Sequence, residues 1–172
     1  MAIRPIIIAP DPVLKTKAKP VESVDGSIAT LMDDMLETMY KAPGIGLAAP
    51  QIGILKRVIV VDVAEKEEKP QPFAMANPEI LWQSDEKSVH NEGCLSLPDH
   101  YADVTRPKQV RLRYLDRDGE VRELDADNLL ATCIQHEIDH LNGVLFIDHL
   151  SLLKRNMILR KLQKQKRSQE TV

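Results

Sequence analysis

Between residues 27 and 41, SIATLMDDMLETMYK, apolar side chains fall at Ile28, Leu31, Met32, Met35, Leu36 and Met39. Spacings of three and four predict an amphipathic helix. The rhythm then breaks: PGIGLAAPQIG (43–53) fits neither the helical nor the strand period and reads as an irregular Gly-rich segment. RVIVVDV (57–63) is a β-branched run of the kind that forms a buried strand, and AEKEEKPQP (64–72) reads as an exposed loop. Residues 73–82 are expected to form another strand, interrupted at Asn77-Pro78. VRLRYLD and VRELDA flank Asp118-Gly119, a hairpin signal. Helical spacing resumes after an N-cap at Asp125 or Asp127 and ends with Gly143 as a C′ residue. A last helix is expected over 150–167, apolar at Leu150, Leu153, Met157, Ile158 and Leu162. Strands in the middle with helices before and after indicate an α+β fold, in one domain spanning residues 1–172.

Composition narrows the class of protein. Apolar residues make up 43% of the chain but aromatic ones only 3%, so Ile, Val and Leu must fill the core. Two cysteines build no disulfide framework. The N-terminal run MAIRPIIIAPDP is broken by Pro5 and Pro10, which suits neither a signal peptide nor a membrane span; a cytoplasmic location is expected. Charge is unevenly spread. Residues 151–172 hold seven Lys/Arg and one Glu, a net of +6, which leaves −9 for residues 1–150 against a total of −3. Only the tail is suited to a polyanion.

The chemistry is concentrated in CIQHEIDHLNG (133–143). On a helix, His136 and His140 lie one turn apart on one face, so their rings can converge on a single metal ion. Glu137 sits beside them, placed to handle the protons of an activated water. With the five histidines and twelve glutamates of this chain, chance yields such a pattern on the order of once in a hundred sequences, so a metal site is the better reading.

A catalytic site of this kind usually takes three protein ligands. Downstream, Phe146 stands where a third histidine would follow Gly143, Asp148 lies beyond the expected helix end, and His149 reads as a helix-start residue. Cys133 shares the histidines' face but precedes His140 by seven residues, about 10.5 Å along a helix axis, too far for one coordination sphere. It reads as a buried neighbour of the site. The third ligand is therefore expected upstream, in NEGCLSLPDHY (91–101), where Cys94 competes with His90 and His100.

GIGLAAPQ (44–51), EGCLS (92–96) and QHEIDHLNG (135–143) together resemble the three signature segments of the peptide deformylases, in that family's order. The resemblance implies antiparallel sheets around a central metal-binding helix. It implies that Cys94, His136 and His140 bind the metal, Fe²⁺ in cells, with Zn²⁺, Ni²⁺ or Co²⁺ also accommodated. The implied reaction is hydrolysis of the formyl group from the N-terminal formyl-methionine of nascent polypeptides. Glu137 would carry the proton, while the Gln51 side-chain amide and the Leu95 backbone N–H would meet the oxyanion. Gly44 and Gly46, which flank Ile45, allow a peptide backbone to approach closely. By the same resemblance Ile45, Leu129, Thr132 and Cys133 wall the methionine pocket. The basic C-terminal helix is expected to meet the ribosome; neither a membrane nor DNA is an expected partner. One position departs from the pattern: many bacterial members carry Arg seven residues after the ligand cysteine, where this chain has Tyr101. A general metallopeptidase and a non-catalytic metal or ribosome-binding module are the competing classes. Glu137 with Gln51 argues against the second, since a structural metal needs neither.

Overall fold

The computed structural model describes residues 2–170, so Thr171 and Val172 of the basic tail lie outside the described residues. The chain is α+β. After a 3-10 turn at Pro12–Lys15 come α1 (Gly26–Lys41), β1 (Gly46–Ala48), a 3-10 turn at Ala49–Ile52, and β2 (Val58–Val61). Then follow β3 (Phe73–Gln83), β4 (Lys87–Cys94), β5 (Leu97–Pro107), β6 (Gln109–Leu115) and β7 (Val121–Asp127). The order closes with α2 (Asn128–Leu141), a 3-10 turn at Phe146–His149 and α3 (Leu152–Glu170). One antiparallel sheet has the strand order β1-β2-β3-β6-β7; β4 and β5 form a separate two-stranded sheet.

The unbroken apolar run of β2 follows from its being covered on both faces. Val58 and Val60 pack with Met32, Met35 and Met39 of α1, whereas Ile59 and Val61 pack with Ala131, Ile134 and Ile138 of α2. Successive side chains of a strand point to opposite faces, so α1 and α2 sandwich this part of the sheet. The Asp25 carboxylate caps α1 by accepting from the Ile28 N–H at 3.0 Å. A third cluster, with Leu14, Leu97, Val104, Phe146 and Leu162, seats the two-stranded sheet and α3. α2 begins directly after β7, with Asp127 as N-cap and Gly143 in the left-handed region at φ 74° just past its end.

Several expectations are corrected. The Gly-rich segment is not wholly irregular, because Gly46–Ala48 pairs with β2 as an edge strand. The turn-forming residues around Cys94 belong to two strands joined at a tight turn, with Cys94 opposite Leu97. β3 runs through Asn77-Pro78 by a bulge rather than stopping there. The last helix starts at Leu152 and continues to Glu170. Its packed side chains are Ile158, Leu159 and Leu162, while Leu153 and Met157 of the expected stripe are exposed. No helix among the described residues is long and apolar enough to cross a membrane.

Candidate active site

α2 carries ten buried residues, from Ala131 to Leu141, and among them are His136, Glu137 and His140. The turn at the end of β4 brings Cys94 to them. Cys94 Sγ lies 3.3 Å from His140 Nε2, and the ligand atoms of Cys94, His136 and His140 all fall within 4.8 Å of one another. Two donors at about 2.0–2.3 Å from one ion stand no further apart than that, so the trio fits a single metal. A thiolate with two imidazoles is also the donor chemistry of a borderline divalent ion. His90 lines the neighbouring cavity and His100 does not; neither joins this cluster.

Groups behind the ligands fix their orientation. A carboxylate only accepts, so His136 Nδ1–H donates to Glu92 Oε1 at 2.9 Å, leaving Nε2 available to a metal. Glu92 in turn takes two bonds from Arg106, at 2.7 and 2.9 Å, with both side chains 5% exposed. Arg106 also donates to Asp139, which pairs with His149, each at 2.8 Å. Burial works to raise the Glu92 pKa, but its bonds to His136 and Arg106 bring it below the usual carboxylate value. Burial works to lower His136, yet the charge on Glu137 and then hydrogen bonds to Cys94 and Glu92 carry it well above the ordinary imidazole value. His140, buried and facing His136, is pushed well below it.

Glu137 faces the same space from the next position on α2. Burial pushes its carboxyl up to about 7, and Oε2 lies 4.0 Å from His136 Nε2. Gln51 is 1% exposed, on the 3-10 turn after β1. Its Oε1 accepts from the Ala48 N–H at 2.9 Å, which turns the amide nitrogen toward Ser96 Oγ at 3.1 Å and Cys94 Sγ at 3.4 Å. Burial holds the Cys133 thiol well above its usual pKa, as expected of an uncoordinated neighbour.

These groups border one cavity of about 730 Å³. Except for His140, which is buried and does not line it, every site residue expected from the sequence borders it: Gly44, Ile45, Gly46, Gln51, Cys94, Leu95, Leu129, Thr132, Cys133, His136 and Glu137. Little space is left beside either glycine. A Cβ on Gly46 would sit 2.5 Å from Glu137 Oε2 and 2.8 Å from Cys133 Sγ, and one on Gly44 would sit 2.8 Å from Leu95 Cδ1. Tyr101 also lines the cavity, with its ring against Gly93. The roles of Glu92, Arg106, Asp139, Ser96 and His149 were not legible in the sequence. Glu92 stands inside a signature segment, but nothing local marks Arg106, 14 positions away, as its partner.

Fold and site thus define a metallohydrolase-type centre: two histidines and a carboxylate on a buried helix, with a cysteine supplied from a strand. A model of the family described as polypeptide deformylase matches residues 3–156. The peptide deformylase of Methylocella silvestris is 62% identical over 167 residues, covering 95% of this chain and 85% of that protein. That of Bartonella quintana is 55% identical over 175 residues, covering 100% and 99%. Among solved structures, peptide deformylase from Ehrlichia chaffeensis in complex with actinonin superposes with a TM-score of 0.93 at 42% identity, covering 97% of this chain and 99% of that one. The enzyme from Legionella pneumophila gives a TM-score of 0.89 at 48% identity, with 98% of both chains covered. The chain belongs to the polypeptide deformylase family.

Proposed function

We propose that this cavity is where the chain, a metal-dependent hydrolase, removes the formyl group from N-terminal formyl-methionine of newly made polypeptides. The supporting observation is the convergence of Cys94, His136 and His140 within 4.8 Å beside a buried Glu137. Cys94 Sγ, His136 Nε2 and His140 Nε2 are the metal donors. Fe²⁺ is the native ion in this reading, and the same donors accept Zn²⁺, Ni²⁺ or Co²⁺. When bound there, a divalent ion supplies Lewis acidity, lowering the pKa of water in the site and polarising the formyl oxygen.

The chain's own residues do the rest. Glu137, its carboxyl pushed up to about 7, takes a proton from the attacking water and returns one to the leaving amine. The Gln51 Nε2–H and the Leu95 N–H meet the negative charge that develops on the formyl oxygen. Gln51 is preset for this by its bond to the Ala48 N–H. β1 is the edge strand of its sheet, so the substrate backbone can pair along Gly44–Gly46, with methionine enclosed by Ile45, Leu129, Thr132 and Cys133. Exposed Lys154, Arg160, Lys161, Lys164 and Lys166 on α3 provide the basic surface for ribosomal RNA, and the place of action is the cytoplasm.

Metal analysis of two purified variants tests the ligand set. Cys94→Ser is expected to lose most of its metal and its activity, whereas Cys133→Ser keeps the metal and changes at most the affinity for methionine. The reverse pattern would overturn the assignment.

A further inference from the structure

One wall of the cavity includes a non-repetitive stretch, Ala42 to Ile45, between α1 and β1. Such a stretch has no ladder of its own to hold it, yet a substrate backbone must find it in place. Both of its ends meet Asp62, one through a side-chain bond and the other through a backbone bond that continues the β1–β2 pairing. At the α1 end, the Tyr40 hydroxyl donates to Asp62 Oδ2 at 2.5 Å. At the β1 end, the Asp62 backbone N–H donates to the Ile45 carbonyl at 2.8 Å.

Asp62 is itself 5% exposed although it ends a strand run. Its other oxygen, Oδ1, accepts from the Ala64 N–H at 3.0 Å and the Gln71 N–H at 3.3 Å, which pins the loop that follows β2. A buried carboxylate held by three donors costs more to place than an apolar residue unless its bonds are needed. Tyr40, by contrast, keeps 46% of its surface in water, so packing alone does not explain its position. Its pKa is raised to about 12, by burial first and then by the bond to Asp62, so it remains a donor throughout the physiological range.

We propose that Asp62 and Tyr40 are positioning residues for substrate binding: together they clamp residues 42–45 at both ends, so that Ile45 and the flanking glycines stand ready for the incoming peptide. The proposal rests on the deformylase reading for its kinetic readout, but not for its structural one. Neither residue touches the metal donors or Glu137, so the clamp acts on recruitment of substrate rather than on the bond-breaking step. Losing the clamp leaves the wall to be ordered by the substrate, which appears as weaker binding.

Tyr40→Phe removes one hydroxyl and little else, Asp62→Ala removes the carboxylate that Tyr40, Ala64 and Gln71 share while its backbone N–H still meets the Ile45 carbonyl, and Asp62→Asn keeps an amide that can still pair with the Tyr40 hydroxyl. With formyl-Met-Ala-Ser as probe, Tyr40→Phe is expected to raise KM on the order of fivefold, as one lost net hydrogen bond implies, and Asp62→Ala by at least as much, with kcat within about twofold in both. Asp62→Asn lies between them and the parent. Metal content is unchanged in all. Hydrogen exchange gives the second readout: amides of residues 42–46 exchange faster in both disruptive variants, while those of α2 do not. Unchanged exchange at 42–46, or a loss of kcat together with metal, overturns the proposal. If the unsubstituted chain releases no formate, the deformylase reading fails, and the exchange result still decides whether the clamp exists.

Discussion

Arg106→Met would separate the structural from the electrostatic work of the groups behind His136. Arg106 is 5% exposed and neutralises Glu92, equally buried, through two bonds of 2.7 and 2.9 Å. Methionine fills most of the same space but leaves the Glu92 carboxylate uncompensated in the interior. Breaking a buried pair from one side costs about 3–5 kcal/mol. For a chain of this length each kcal/mol lowers the melting temperature by roughly 2–4 °C, so the drop should fall at roughly 6–20 °C. Glu92 also holds the His136 ring, and disturbing such a partner lowers metal affinity by roughly 10–100-fold. Thermal melts followed by circular dichroism on chelator-treated protein, with Zn²⁺ competition titrations, read the two effects apart. The double variant Glu92→Gln/Arg106→Met should recover part of the stability, since no charge is then stranded. An Arg106→Met protein that melts within about 2 °C of the parent and binds Zn²⁺ as tightly would refute this account of the network.

Gly46→Ala should fold but lose most activity, because its Cβ would sit 2.5 Å from Glu137 Oε2; a near-normal rate for formate release would show that the wall yields there. Asp34, whose pKa is lowered from 3.8 chiefly by its bond to Arg4, contributes stability that is complete above that value and fades as pH falls below it. Asp34→Asn should therefore narrow the stability gap to the parent in melts below that pH, and a constant gap from neutral to strongly acidic pH would contradict this. Replacing the exposed Lys154, Arg160, Lys161, Lys164 and Lys166 by Gln, which spares the packed Ile158, Leu159 and Leu162, should leave tripeptide hydrolysis largely intact while reducing co-sedimentation with ribosomes at low salt. Equal sedimentation would make the basic side of α3 a solvated face only.

The sequence carried the helices and the metal motif because both are local. Met32, Met35 and Met39 announce α1 by spacing, and His136, Glu137 and His140 announce the chemistry by lying on one helix. β1 was hidden because three residues, Gly46 to Ala48, are too few to show a period. The strands around Cys94 were hidden because their polar positions face inward: Glu92 and Arg106 are buried as a pair, which inverts the usual alternation. On α3 the apolar period was real, but the body covers only one side of it, leaving Leu153 in water. The clamp at Asp62 joins Tyr40, Ile45 and Gln71, residues whose proximity exists only once the sheet has formed.

The role proposed for Glu137 is to move protons at a metal held by Cys94, His136 and His140. Formate release from formyl-Met-Ala-Ser, measured for the parent and Glu137→Gln at equal and full metal occupancy, tests that role. Turnover by the parent should be abolished by chelation, and the variant should lose about 10²–10⁴-fold with its metal retained. Comparable rates for the two metal-replete proteins would contradict it.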